Sequence, residues 1–284
     1  MTICIRELLY YLFVRLPNTI TGRYITRNLV KVHWGRGLNN FGDCLQPHIL
    51  KHYGLKPVYV TSLAKSEIVL QGSILQLLPD DYQGYIIGTG GDIKEYKLLN
   101  SKILAVRGGK IAECIGCKGA AFGDTGLLAP LVFRKRTDKR FKLGIVLHFV
   151  DAGTGFERKL RQKLNGKDIV FINVLDNAKK VINQIQGCNA ILSSSLHGLI
   201  IADAYHIPNR RIVNRETMPT SFYDFKFEDY YSSLGIEETP LQLHDCGDVD
   251  ATISRMTLKP SERIDELIGS LDLIMKEVAS KFKK

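Results

Sequence analysis

The chain has no run of about 18 consecutive apolar residues, so nothing in its 284 residues reads as a membrane-spanning helix. Arg6 and Glu7 interrupt the apolar N-terminal segment and no A-x-A-like pattern follows it, so no secretory signal is expected. Neither a Walker A sequence (GxxxxGK[ST]) nor GxGxxG spacing occurs, which removes the usual signatures of nucleoside triphosphate and dinucleotide binding. Cysteine is sparse: Cys4, Cys44, Cys114, Cys117, Cys188 and Cys246 are scattered through a chain too long to need a disulfide framework, which favours reduced thiols and a cytoplasmic setting. Cys114-Ile-Gly-Cys117 is a lone CxxC with no second pair at zinc-finger spacing, so no metal site is expected. Trp34 is the only tryptophan, the basic residues are dispersed, and no helix-turn-helix, zinc-finger or RRM signature is present, so nucleic acid is set aside as a partner. Internal repeats and low-complexity segments are also missing.

What the chain has is positive charge. Thirty-nine Lys and Arg against 29 Asp and Glu give a net charge of +10, which favours anionic partners: acidic headgroups, or phosphorylated and carboxylated small molecules. With 45% hydrophobic and 24% charged residues the composition is that of a folded globular protein. Ile5, Leu8, Leu9, Leu12, Phe13 and Leu16 recur at helical spacing, followed by Arg15, Arg23, Arg27 and Lys31. This amphipathic leading helix suits either packing on the protein surface or resting on an anionic membrane.

From Val32 onward short apolar runs alternate with glycine loops and helical stretches. Strands are expected at Lys31 to Trp34, Glu67 to Leu70, Gly84 to Gly88, Ile103 to Val106 and Gly119 to Phe122, with a helix over Gln46 to Tyr53. A second series follows the charge run Arg134-Lys-Arg-Thr-Asp-Lys-Arg140: strands at Leu143 to Phe149, Asp168 to Asn173, Ala190 to Ser193 and Arg211 to Val213. Helices are expected at Gly155 to Asn165, Asp176 to Gln186 and from Leu196, with a long closing helix over Ser261 to Lys284. The alternation indicates an α/β protein with parallel sheets covered by helices, divided into an N-terminal unit, residues 1–135, and a C-terminal unit, residues 140–284. Ligands of such sheets sit off the carboxyl ends of the strands, where loops from both units could meet in one cleft.

The chemistry concentrates in those loops. Ile191-Leu-Ser-Ser-Ser-Leu-His-Gly198 runs from an apolar strand into a helix start, where unpaired N–H groups and the macrodipole favour an anion. Ser193, Ser194 and Ser195 add hydroxyls, and His197 adds a side chain able to exchange a proton near neutral pH. His148 ends an otherwise apolar strand, where a structural role and a proton-transfer role are both open. Gly88-Thr-Gly90 permits close backbone approach, either as a tight turn or against a ligand phosphate. Arg107-Gly-Gly-Lys110 places cations beside glycines at a strand end, suited to clamping a carboxylate or phosphate. Asp43 either caps the helix that follows or orients a sugar hydroxyl.

Asn40-Phe-Gly-Asp43, Gly88-Thr-Gly90, Arg107-Gly108, Gly123-Asp124 with Leu127-Leu128, His148 with Asp151, Ser193 to Gly198 with Ile207-Pro208, and Lys226-Phe-Glu-Asp-Tyr-Tyr231 occur in one order. Over about Trp34 to Gly235 this set resembles the polysaccharide pyruvyl transferase family. The resemblance implies two Rossmann-like domains in a GT-B-type arrangement with an interdomain cleft. It also implies transfer of an enolpyruvyl unit from phosphoenolpyruvate, a co-substrate with no further cofactor, to a saccharide acceptor that is often lipid-linked, with formation of a pyruvate ketal and release of phosphate. His197 and His148 are the expected proton-transfer groups. Arg107, Lys226, Ser193, Ser194, Ser195 and Gly198 are expected around the donor, and Asn40, Asp43, Gly88, Gly90 and Asp151 around the acceptor or the cleft. Many members read Ser-x-Arg-Leu-His-Gly where this chain has Ser193-Ser-Ser195-Leu-His-Gly198. The donor's charge is then left to Arg107, Lys226 or the helix N-terminus. A cytoplasmic protein, peripheral on the inner membrane face, is the expected setting. A GT-B glycosyltransferase using a nucleotide sugar, or a non-catalytic carbohydrate-binding component, would fit the same architecture.

Overall fold

The computed structural model describes residues 28–35, 40–133, 138–218 and 220–283. The expected amphipathic helix over residues 2–16 and most of the charge run at 134–140 lie outside the described residues. In the first half, β1 (Leu29–Val32) leads to helix α1 (Gln46–His52), then β2 (Lys56–Tyr59), β3 (Ile68–Val69), β4 (Tyr85–Thr89), β5 (Lys102–Val106), α2 (Gly109–Cys114), β6 (Ala121–Phe122) and α3 (Ala129–Val132). In the second half come β7 (Phe141–Leu147), α4 (Gly155–Lys163), β8 (Ile169–Asn173), α5 (Ala178–Gln186), β9 (Cys188–Ser193), α6 (Leu196–Ala204), β10 (Asn209–Arg211), α7 (Thr220–Leu234), α8 (Val249–Ile253) and α9 (Ser261–Phe282).

Local chemistry explains these boundaries. Residues Leu143 to Leu147 of β7 are all buried, as expected of a central parallel strand covered on both faces. Helix α4 starts where the Thr154 hydroxyl accepts from the Glu157 N–H, and α5 where the Asn177 side chain accepts from the Lys179 N–H, each satisfying a donor that the first turn leaves open. Val181, Ile182 and Ile185 bury one face of α5. Ile264, Leu267, Leu271, Met275 and Val278 do the same along α9. Full burial of each such side chain contributes roughly 1.5–3 kcal/mol.

Every paired strand runs parallel to its neighbour. The second sheet has the order β8-β7-β9-β10. In the first half β3-β4-β5-β6 form one sheet and β1-β2 a pair. The pair joins the sheet edge where the Glu67 N–H donates to the Lys31 carbonyl and the Lys31 N–H donates to the Glu67 carboxylate. Both halves therefore repeat one plan, in which the second strand lies on one side of the first and the third strand on the other. Each has a topological switch point, between β1 and β3 and between β7 and β9, and a crevice forms there at the strands' carboxyl ends.

The halves share a core. One hydrophobic cluster includes Val30, Phe41 and Ile87 together with Val146, Ile191 and Leu199. Two helices from the end of the chain reach back to the first half: α7 packs on α2, and α9 places Leu267 and Leu271 against Gly123. Helix α9 also receives the Tyr53 hydroxyl on Asp272 at 2.9 Å.

Several expected bounds shift. The first strand begins two residues earlier than Lys31, and β10 occupies Asn209–Arg211 rather than Arg211 to Val213. Strand β7 stops at Leu147, so His148 and Phe149 lie in the loop beyond it. Gly88 is not in a turn after β4 but within it, at φ 75° where the register slips. Strand β2 and helix α2 carry no sequence pattern strong enough to have been expected.

Candidate functional site

At the first switch point the chain leaving β1 passes through Asn40-Phe-Gly-Asp43 and the chain leaving β3 through Gln71, Gly72 and Ser73. Asp43 opens a 3-10 turn, Asp43–Leu45, but its side chain makes no cap hydrogen bond. The expected capping role is thus corrected: Gly42 holds the N-cap position, and the Asp43 carboxylate accepts from Asn40 Nδ2 at 3.5 Å. A Cβ on Gly35 would stand 3.0 Å from that carboxylate and one on Gly72 would stand 3.5 Å from it, so glycines make the room for it. Burial raises the Asp43 pKa, and the neighbouring Asp124 charge adds to the rise while His197 and Lys226 oppose it.

At the second switch point the three serines divide their labour. The Ser193 hydroxyl is committed to the Val146 and Ser195 carbonyls, each at 2.8 Å, which ties β9 to β7. Ser194 accepts from the His148 N–H at 2.9 Å and donates to Asp151 at 2.6 Å. Asp151 also accepts from Asn214 Nδ2 at 3.2 Å and from the Thr217 hydroxyl, and it is fully enclosed. Ser195 stands at the N-cap of α6, and no hydrogen bond of its hydroxyl occurs among the described residues. Gly198 is required where it is, because a Cβ there would lie 2.4 Å from the Ser193 hydroxyl.

His197, in the first turn of α6, is 8% exposed and reaches into the first half. Its Nε2 lies 3.8 Å from Asp124 Oδ1. Gly42 packs on the other side of the ring, where a Cβ would stand 2.1 Å from Nδ1. Phe41 presents its ring edge-on at 6.3 Å. Desolvation lowers the His197 pKa to about 4, Asp43 opposes that shift and Arg107 and Lys226 reinforce it, so the imidazole is neutral at pH 7. His148, against Phe149 and Tyr223 with ring centroids at 4.3 and 5.9 Å, is lowered to about 3 by burial and by the charges of Lys226 and His197.

Two buried cations flank these groups. Arg107, at the end of β5, is 1% exposed; its Nε donates to Asp229 of α7 at 2.8 Å and its Nη1 to the Ser73 hydroxyl at 2.8 Å. Its Nη2 is enclosed with no hydrogen-bond partner. Gly90 packs on the guanidinium, since a Cβ there would lie 2.2 Å from Cζ. Lys226 of α7 is 7% exposed. Alone among the buried cations of the described residues, it has neither a hydrogen bond nor an ion pair. Its Nζ lies 4.6 Å from the Tyr223 ring centroid. Burial first, then Arg107 and Arg211, lower its pKa to about 7 against the pull of Asp43 and Asp151.

The structure thus links Asn40, Asp43, His148, His197, Arg107 and Lys226 through shared contacts and charge, whereas Gly88 serves the fold by packing on the Gly123 carbonyl and the Thr125 N–H. Asp124 and Asp229 stand in the sequence motifs that carry the family resemblance but were expected in no site role, and Gln71 was not expected at all. Asp124, fully buried after β6, caps the turn Thr125–Leu128 through Gly126 N–H at 2.8 Å, and burial raises its pKa to about 6. The signal for it was an aspartate immediately after the Ala121–Phe122 strand and its glycine; for Asp229, its position three residues after Lys226 in one helix. Among the described residues no group of His, Cys, Asp and Glu side chains is placed to hold a metal ion.

The fold and this site define a Rossmann-like α/β protein in which the switch points of two parallel sheets meet at one neutral histidine among buried charges. Residues 97–216, which hold Arg107, Asp124, His148, Asp151 and His197, match the model of the polysaccharide pyruvyl transferase family. It is similar to the succinoglycan biosynthesis protein ExoV of Rhizobium meliloti (strain 1021), 27% identical over 230 residues that cover 73% of this chain and 66% of that protein. It is also similar to an uncharacterized protein of Acanthamoeba polyphaga mimivirus, 31% identical over 118 residues that cover 40% of each chain. The chain therefore spans just under two thirds of the first relative's length and two fifths of the second's.

Proposed function

We propose that the protein transfers the enolpyruvyl unit of phosphoenolpyruvate to a pair of hydroxyls on a polysaccharide or its lipid-linked precursor, leaving a cyclic pyruvate ketal and free phosphate. The observation that carries this reading is His197: the family segment supplies a neutral, enclosed imidazole whose charge environment is set by Asp43, Arg107 and the unpaired Lys226. The similarity to a succinoglycan biosynthesis protein supports a saccharide acceptor.

The chemistry asks for a proton donor, a proton acceptor and positive charge. Protonation of the donor's methylene carbon leaves C2 electrophilic, and a sugar hydroxyl attacks C2 and loses its proton. Departure of phosphate regenerates an oxocarbenium at C2, which the second hydroxyl closes to the ketal with loss of its own proton. His197 and His148 exchange these protons, a role worth about 100- to 10,000-fold in rate. An anionic donor raises the pKa of His197 by countering the desolvation and the Arg107 and Lys226 charges that depress it. Lys226 meets the donor's carboxylate or phosphate in place of the arginine that many family members carry at the position of Ser195. Arg107 adds long-range positive potential, and the open N–H groups at the start of α6 assist.

In this reading the two sheets are the two units of a GT-B-type arrangement, divided near residues 135 and 140, with the donor in the crevice between them and Asn40, Asp43 and Gly90 toward the acceptor. No helix among the described residues is long and apolar enough to cross a membrane, and a lipid-linked acceptor would bring the protein to a membrane face as a peripheral component. The deciding experiment is incubation with phosphoenolpyruvate, or in a parallel arm a nucleotide sugar, plus a panel of lipid-linked and free oligosaccharides. Phosphate release together with the mass gain of a pyruvate ketal is the expected result. Transfer of a sugar, or no phosphate release from phosphoenolpyruvate across the panel, overturns it.

A further inference from the structure

The imidazole of His197 has two unlike sides. Nε2 is sealed from solvent and has no hydrogen-bond partner, and the nearest acidic oxygen is Asp124 Oδ1 at 3.8 Å. Asp124 is fully enclosed, with Oδ1 receiving the Gly126 N–H and Oδ2 unpartnered. Nδ1 is not among the sealed atoms and forms no hydrogen bond with the described residues. Gly42 packs on the ring face beside it, where a Cβ would stand 2.1 Å from Nδ1, 2.4 Å from Cγ and 2.8 Å from Cε1.

Both walls are held by one side chain. The Gln71 amide donates to the Gly42 carbonyl, and its oxygen accepts from the Thr125 hydroxyl at 2.9 Å, the residue next to Asp124. Gln71 is itself wholly buried, so the loop in front of the ring and the turn behind it are fixed relative to each other. A neutral histidine carries its proton on one nitrogen, and the partner of that nitrogen decides which one remains free to react. Only the Nε2 side offers a carboxylate within reach. A separation of 3.8 Å is longer than a hydrogen bond, and such contacts often close when the ligand binds.

We infer that His197 exchanges protons through Nδ1 and that Asp124 is the positioning residue keeping the resting proton on Nε2. The inference rests on the pyruvyl-transfer reading for the reaction served, but the tautomer is a property of the free protein. The groups facing Asp124 are His197, Arg107, Asp229 and Asp43, with the Gly126 N–H as its cap.

The test has two arms. In the full chain labelled with 15N-histidine, long-range proton–nitrogen correlation at pH 7 should show the His197 Nε2 protonated and Nδ1 bare. In turnover, Asp124→Asn, which keeps an oxygen for the Gly126 N–H, should lower kcat by about 10-fold or more, since a misplaced proton forfeits part of the acid–base gain, while donor KM moves by less than about threefold. The same variant should show a mixed tautomer. A proton on Nδ1 in the unmodified protein overturns the inference, and so does full kcat in folded Asp124→Asn. If the unmodified protein releases no phosphate from phosphoenolpyruvate, the reaction reading fails while the nitrogen spectrum still decides the tautomer.

Discussion

The two switch points perform opposite tasks. The second, off β7 and β9, is internally satisfied: Ser193, Ser194, Asp151, Asn214 and Thr217 spend their polar atoms on one another and on the backbone. The first, off β1 and β3, is open: Asp43 has one long hydrogen bond, the room around it comes from glycines, and its carboxylate is held among mutually perturbing charges. The reactive candidate, His197, grows out of the rigid half and projects into the charged one. A buried polar network in which every member is satisfied is rigid, and one with free members is a place where a ligand can complete it.

The comparison breaks most sharply at His197. His197→Ala should lower kcat by about 100-fold or more with phosphoenolpyruvate saturating, checked by phosphate release, because the gain from general acid–base catalysis is removed. Near-normal turnover would return the active role to the rigid half and to His148. Next in size is the pair linking β5 to α7: Asp229→Ala leaves Arg107 charged and nearly sealed, and urea denaturation should show a loss of about 3–5 kcal/mol. Ser194→Ala should cost about 1–3 kcal/mol by stripping Asp151 and the His148 N–H of a partner. A comparable loss from Asp43→Ala would remove the contrast between the halves.

The smallest effect has an unusual sign. Lys226 has a folded pKa of about 7, well below the ordinary lysine value of 10.5, because burial penalises its charge. Its ammonium therefore destabilises the fold at and below neutral pH, and the penalty fades as pH rises through the interval from about 7 toward 10.5, where the unfolded chain holds the proton and the folded one does not. Lys226→Met should raise stability at pH 7 by about 1 kcal/mol, roughly 2–4 °C in Tm, and weaken donor binding. The gain should vanish by calorimetry above pH 10.5. A further pH readout follows from Asp124: kcat/KM should fall as pH drops through about 6, where its carboxylate takes up a proton, and Asp124→Asn should flatten that limb.

How much of this was legible differs by kind of signal. Most strands of both sheets carried dense apolar runs, and α1, α4, α5, α6 and α9 carried caps or periodic faces, so their existence could be read within a few residues. Strand β2, Lys56-Pro-Val-Tyr59, is short and half-exposed, and α2 is a six-residue helix opening on two glycines, so neither had a period to detect. Ser193, Ser194 and Ser195 look equivalent in sequence, yet two of the hydroxyls serve the fold. Asp124 and Asp229 stand in recognisable motifs, yet their roles were not legible because they depend on partners 73 and 122 positions away.

By itself the sequence determined the α/β alternation, the serine-to-histidine junction at a helix start and the excess of positive charge, because each is a matter of local spacing or composition. The tertiary structure alone decided that His197 faces Asp124 across one ring nitrogen and packs its ring on Gly42, that Arg107 is paired with Asp229 while Lys226 has no such partner, and that α7 and α9 return to the first half. Those outcomes depend on which loops two twisted sheets bring within a few ångströms of each other, and on which charges burial leaves without a partner.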